Sequence, residues 1–165
     1  MYQKELTFME AVKKVYLKNY CNFSGRASRS EFWWSYLAQY AMMMILYCVM
    51  IFLTIITTTI LMAMDAEETT ASIVTMLICA GPMIILGLIL LLPSLGVTVR
   101  RLHDTGRSGW YILISLIPLA GLILYYWLAL PSDMYENQYG PVPNVEQLPW
   151  ENNSNSTFSD NTRWQ

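Results

Sequence analysis

Between Thr69 and Val99 the chain reads TTASIVTMLICAGPMIILGLILLLPSLGVTV, without a charged side chain, and at Arg100-Arg101 it turns abruptly basic. A helix rising about 1.5 Å per residue needs about 20 apolar residues to cross a bilayer core, and this stretch is longer than that. Two other stretches meet the same test: no charge occurs from Phe32 to Met64 or from Ser108 to Ser132. Of 165 residues, 55% are hydrophobic and 13% charged, where a soluble domain carries about 25% charge. The expected fold is an all-α membrane protein with three transmembrane helices, preceded by an amphipathic N-terminal helix. No room is left for a separate soluble enzyme.

The first span is expected over about Leu37 to Met64 and the second over about Thr70 to Val99, with the acidic turn Asp65-Ala66-Glu67-Glu68 between them. Gly81-Pro82 and Pro93 predict a tilt or kink in the second, because each proline removes a backbone bond that neighbours must replace. Gly81, Gly87 and Gly96 offer surfaces for close approach. The third span, Trp110 to Leu130, is interrupted by Pro118 and Gly121. It either crosses fully or re-enters and returns, with other helices satisfying its open backbone.

Charge placement sets the orientation. Lys4, Lys13, Lys14, Lys18, Arg26 and Arg29 precede the first span, none lies between the first two, Arg100, Arg101 and Arg107 follow the second, and Arg163 alone follows the third. Basic flanks stay cytoplasmic, so the N-terminus is expected inside a bacterial inner membrane and the C-terminus outside. The first apolar run begins beyond residue 30 and is far longer than a signal-peptide core, which predicts an uncleaved anchor. Cys21, Cys48 and Cys79 lack metal-type spacing and read as small apolar residues.

Residues 1–22 form the expected amphipathic cytoplasmic helix. Leu6, Met9, Val12, Tyr16 and Tyr20 fall near helical spacing, with Lys4, Lys13, Lys14 and Lys18 on other faces. Such a helix either lies in the headgroup layer or packs on the protein's own loop. Ser28 and Glu31 then have capping-box spacing, and Trp33, Trp34 and Tyr36 suit the water–hydrocarbon boundary. The membrane domain is expected over 23–143. The polar, asparagine-rich tail over 144–165 is expected to be disordered, at least beyond Trp150; its two Asn-x-Ser/Thr matches are frequent by chance.

The densest polar cluster is Arg100-Arg101-Leu102-His103-Asp104-Thr105-Gly106-Arg107-Ser108-Gly109-Trp110. If helix runs on to Asp104, either arginine can pair with that carboxylate at a spacing of three or four, leaving positive charge in surplus. Guanidinium forks hold phosphate oxygens bidentately, so Arg26, Arg29, Arg100, Arg101 and Arg107, with His103 and Asp104, are the candidate site for anionic lipid headgroups or a partner's acidic surface. The alternative is that the arginines enforce topology while His103 and Asp104 stitch the turn. Catalysis through His103 would need a substrate or nucleophile in reach, and Thr105 and Ser108 qualify only by nearness in sequence. A metal site lacks ligands at suitable spacing, no cofactor is implied, and nucleic-acid binding has no support beyond basic residues that topology explains. No Asp, Glu, Lys, Arg or His lies within the spans, which disfavours a proton-coupled carrier.

Four motifs in order carry a family resemblance: Phe23-Ser24-Gly25-Arg26-Ala27-Ser28-Arg29-Ser30-Glu31-Phe32-Trp33-Trp34, then Arg100 to Trp110, then Ile117-Pro118-Leu119-Ala120-Gly121, then Asn137-Gln138-Tyr139-Gly140-Pro141. Over about residues 20 to 143 the chain resembles the small bacterial inner-membrane proteins grouped as domain of unknown function 805. The resemblance implies no activity. It implies that the Gly-Arg-Ala-Ser-Arg segment, the Arg-Arg-Leu-His-Asp loop and the tail motif belong to one design, although Gln138 stands where the family often has arginine.

The leading expectation is thus a non-enzymatic membrane protein whose arginines meet anionic lipid or a membrane-protein partner. An oligomeric transport or channel component, with this chain as a homo-oligomer, is the second reading. An enzyme acting on lipid headgroups is the third.

Overall fold

The computed structural model describes residues 2–65 and 67–146. Of the tail expected to be disordered over 144–165 it describes residues 144–146, which are ordered; the rest of the tail, with its Asn-x-Ser/Thr matches, lies outside the described residues. Strand β1, Tyr2–Gln3, leads to helix α1, Phe8–Val12, which continues as a π-helical turn over Lys13–Lys18. Thr7 and Glu10 cap α1 reciprocally, the Glu10 carboxylate accepting from the Thr7 amide at 2.9 Å. The segment packs inward: Ala11 and Val15 are fully buried, while Met9 and Leu17 face out. Of the expected helix over 1–22, only residues 8–18 are helical among the described residues, short and irregular, and the buried side packs on the segment that enters α2.

Two long helices follow, α2 at Arg29–Ala63 and α3 at Glu68–Asp104. With 35 and 37 residues they extend about 52 and 55 Å, well beyond a hydrocarbon core of about 30 Å. Both are apolar enough to cross a membrane, and only 6% of the most apolar window of each is buried. Core helices of soluble proteins bury theirs; these present Ile45, Phe52, Ile55, Ile84, Ile85 and Leu88 outward. The pair is antiparallel, with Glu31 against Arg100, Tyr36 against Thr98 at 3.2 Å, and Thr54 against Cys79 at 2.7 Å. Asp65, at φ 55°, turns the chain between them.

Helix α3 stays continuous through Pro82 and Pro93. Pro93 leaves the carbonyl of Ile89, four residues earlier, without its helical donor. The hydroxyl of Tyr20 donates to that oxygen. One turn on, a Cβ on Gly96 would stand 3.0 Å from the backbone oxygen of Asn22. Gly96 therefore admits the backbone of the segment entering α2; the close approach is by a loop and not by a second span.

The expected third transmembrane helix is not formed. Residues 110–130 break into a 3-10 helix, Gly109–Leu116, and a nine-residue helix α4, Gly121–Ala129, the latter only about 14 Å long. Pro118 and the left-handed Leu119 (φ 67°) stand between them, and the two arms fold back so that Tyr111 meets Trp127 edge-on at 5.2 Å. The segment leaves the end of α3 and returns to it, where Arg101 donates to the carbonyls of Leu128 and Leu130. Tyr2–Gln3 then pairs antiparallel with β2, Val145–Glu146. The two ends of the described chain thus lie together, which overturns the expectation of termini on opposite sides.

The hydrophobic core sits at this end, where Val15, Ala27, Phe32, Val97, Leu102, Leu124 and Leu128 cluster. Each of these side chains except Ala27 contributes about 1.5–3 kcal/mol by leaving water.

Candidate functional site

Around that core two buried carboxylates each bind two cations. Glu31 accepts from Lys14 Nζ at 2.6 Å and from Arg100 Nη1 at 2.7 Å. Asp104 accepts from Arg26 Nε at 2.9 Å and from Arg101 Nη1. Ser28 caps α2 by accepting from the Glu31 amide at 3.3 Å, but the Glu31 carboxylate turns to these cations, so only half of the expected capping box forms. Of the two open pairings for Asp104 along α3, the spacing-of-three partner Arg101 is the one made.

Four cations against two carboxylates leave positive charge over, and backbone oxygens absorb it. Arg26 donates to the carbonyls of Asp133 and Tyr135, the latter at 2.8 Å, and Arg101 to that of Leu128 at 2.9 Å. Arg100 Nε and Nη2 are buried and find no acceptor among the described residues. Arg26 thereby ties the start of α2, the end of α3 and the tail together. The tail adds Asn144, whose amide donates to Ser28 Oγ at 2.9 Å while its oxygen accepts from Lys14 at 2.8 Å. Burial pushes the Tyr16 phenol up to about 12, so it stays a neutral donor to the Ser35 carbonyl, at 3.1 Å.

The seven residues singled out in the sequence thus divide. Arg26, Arg100, Arg101 and Asp104 are buried and engaged with one another or with Glu31 and the tail. Arg29 is exposed. Arg107 is half-buried, its guanidinium 4.9 Å above the Trp127 ring and donating to the Thr105 carbonyl. His103 Nδ1 lies 3.1 Å from the Gly25 carbonyl, and its ring stacks on Tyr139 at 3.8 Å. Sequence reasoning missed Glu31, Lys14 and Asn144 as members of the cluster. A lone carboxylate at the head of an apolar run was the available signal.

Beside the cluster lies an apolar groove of about 580 Å³ between α3, the 3-10 helix and the tail. Phe23, Leu95, Val99, Trp110, Ile112 and Tyr139 line it together with His103 and Ser108, the Tyr139 hydroxyl and the Trp110 indole N–H adding polar atoms to a mostly apolar wall. Gly109 keeps it open, since a Cβ there would stand 2.6 Å from Val99 and 3.3 Å from His103 Nε2.

Comparison with known proteins adds three findings. Residues 20–141 match the family described as protein of unknown function (DUF805). Inner membrane protein YhaH of Escherichia coli K12 is 34% identical over 136 residues, 79% of this chain and 93% of that one. Inner membrane protein YhaI of the same strain is 30% identical over 128 residues, 77% of this chain and 90% of that one. No solved structure matches the chain.

Proposed function

The chain belongs to the DUF805 family of proteins of unknown function, and from that premise we propose a non-enzymatic, multi-pass inner-membrane protein with a cytoplasmic N-terminus that gathers anionic lipid headgroups around a rigid cap. The inner-membrane relatives and the two apolar helices support the location. Basic residues ahead of α2 and none in its turn to α3 support the orientation.

The observation that carries the reading is the division of the cations. Four are consumed inside the cap, whereas Lys13, Lys18 and Arg29 are exposed, as are Trp33 and Trp34 at the head of α2. Those three residues, together with half-buried Arg107, form the headgroup contact, each worth about 1 kcal/mol beside an anionic surface. The buried arginines hold the cap that presents them.

Native mass spectrometry after reconstitution in phosphatidylglycerol or phosphatidylcholine nanodiscs tests this. The expected result is retained phosphatidylglycerol in the wild type and its loss in a folded Lys13→Gln, Lys18→Gln, Arg29→Gln variant. Equal retention by both proteins would reject the contact.

One observation favours an oligomeric transport component as a second reading. Thr58, Ser72 and Thr75 line a cleft between α2 and α3 of about 390 Å³, and the Thr75 hydroxyl is buried without a partner among the described residues. A strictly monomeric protein without solute flux in liposomes would remove that reading.

A further inference from the structure

The groove beside His103 has a polarity that selects its occupant. The Gly25 carbonyl only accepts, so the 3.1 Å contact places the proton of the neutral imidazole on Nδ1. Nε2 is then an acceptor, and it has no hydrogen-bond partner among the described residues. Ser108 Oγ accepts from the Trp110 amide at 3.4 Å, which leaves its own proton free to donate. His103 Nε2 and Ser108 Oγ therefore offer one acceptor and one donor beside the Tyr139 hydroxyl and Trp110 indole N–H, and no lysine, arginine or carboxylate lines the groove.

An alcohol hydroxyl is the group that satisfies both, giving its proton to Nε2 and taking one from Ser108. A carboxylate or phosphate would have no proton for Nε2 and no cation in the lining to offset its desolvation. The volume lies within the usual range for small-molecule sites, about 300–1,000 Å³.

The apolar wall shows where such a molecule comes from. Leu88, Leu92, Leu95 and Val99 recur at spacings of four, three and four, one stripe along α3. The last two line the groove, while Leu88 and Leu92 are 63% and 40% exposed on the surface that faces lipid in the proposed placement. An apolar chain lying on that stripe brings its head to His103.

We infer that this groove binds an uncharged membrane lipid bearing a free hydroxyl, with His103 and Ser108 holding the hydroxyl and the Leu88–Val99 stripe holding its chain. The inference rests on the membrane placement proposed above, but not on the anionic headgroup contact.

The test is photo-crosslinking of the full chain in phosphatidylcholine nanodiscs with a diazirine-bearing hexadecanol. Labelling is expected on Phe23, Leu95, Trp110 and Ile112. Unlabelled hexadecanol should compete, and its methyl ether, which lacks the proton, should compete about tenfold less well. His103→Asn keeps a donor for Gly25 and loses the Nε2 acceptor, and should cut labelling about tenfold at unchanged thermal midpoint. Ser108→Ala, with the ether comparison on the native chain, serves if that variant does not fold. Equal competition by the ether, or label spread over Ile84 and Ile85, would overturn the inference. Undiminished labelling in the Lys13→Gln, Lys18→Gln, Arg29→Gln variant would show the two sites to be separate; lost labelling there would overturn the assignment to this groove.

Discussion

Glu31 shows what a single buried charge does in this fold. It lies 69 residues from Arg100 and 17 from Lys14, so its bonds hold three segments at one point. A buried ion pair is not by itself a large source of stability, because desolvating both partners offsets most of their attraction; removing one partner, however, leaves the other buried and unpaired, at about 3–5 kcal/mol. Glu31→Gln is therefore expected to destabilise the detergent-solubilised protein by about that amount, and Arg100→Gln added to it should cost much less than the sum of the two single changes. Arg29→Gln, at an exposed site, should stay within about 0.5 kcal/mol. Denaturant midpoints of the four variants check both statements, and equal sensitivity at Glu31 and Arg29 would contradict the burial. Neither long-range partner of Glu31 was legible in the sequence. Composition and spacing show where charges stand along the chain, and the spacing-of-three pair Arg101–Asp104 was readable for that reason. A carboxylate that meets a guanidinium 69 residues away leaves no local trace.

At the scale of elements, the long helices were the legible part. Charge-free runs bounded by Glu31 and Arg100 locate α2 and α3 because desolvated charge is excluded from any span, whatever the tertiary packing. The prolines were readable as breaks but their remedies were not, since those come from elsewhere in the chain. Tyr20 reaching the Ile89 carbonyl is the clear case. Removing that hydroxyl leaves the oxygen without a donor, so Tyr20→Phe should cost about 1–3 kcal/mol. Pro93→Ala restores a backbone N–H for the same oxygen, and in that background Tyr20→Phe should become nearly neutral. A double-mutant cycle on unfolding midpoints reads the coupling; additive effects would mean that Tyr20 acts by packing alone. Residues 110–130 follow the same logic. Pro118 and Gly121 announced an interruption, yet what folds α4 back is Arg101, which takes the carbonyls at its far end.

For the whole molecule, that return decides which side of the membrane the tail occupies. Counting basic residues assumes that each apolar run crosses, and with three crossings the tail falls outside; the run over 110–130 contains too little continuous helix for the third. Arg26 bonding to Asp133 and Tyr135, and Tyr2–Gln3 pairing with Val145–Glu146, hold the tail against the N-terminal segment, and no bilayer can separate groups in hydrogen-bond contact. With the N-terminus cytoplasmic as proposed, Asp133 and Glu136 are expected on the cytoplasmic side and Glu67 on the periplasmic side. Single cysteines at these three positions, in a chain with Cys21, Cys48 and Cys79 replaced by serine or alanine, separate the possibilities. In intact cells a membrane-impermeant maleimide should label position 67 alone, and in inverted vesicles positions 133 and 136 alone. Labelling of 133 in intact cells would restore the third crossing and break the Arg26 contacts that organise the cap. Labelling of all three from one side would instead remove α2 and α3 as spans, because an antiparallel pair that crosses must present its turn opposite both ends.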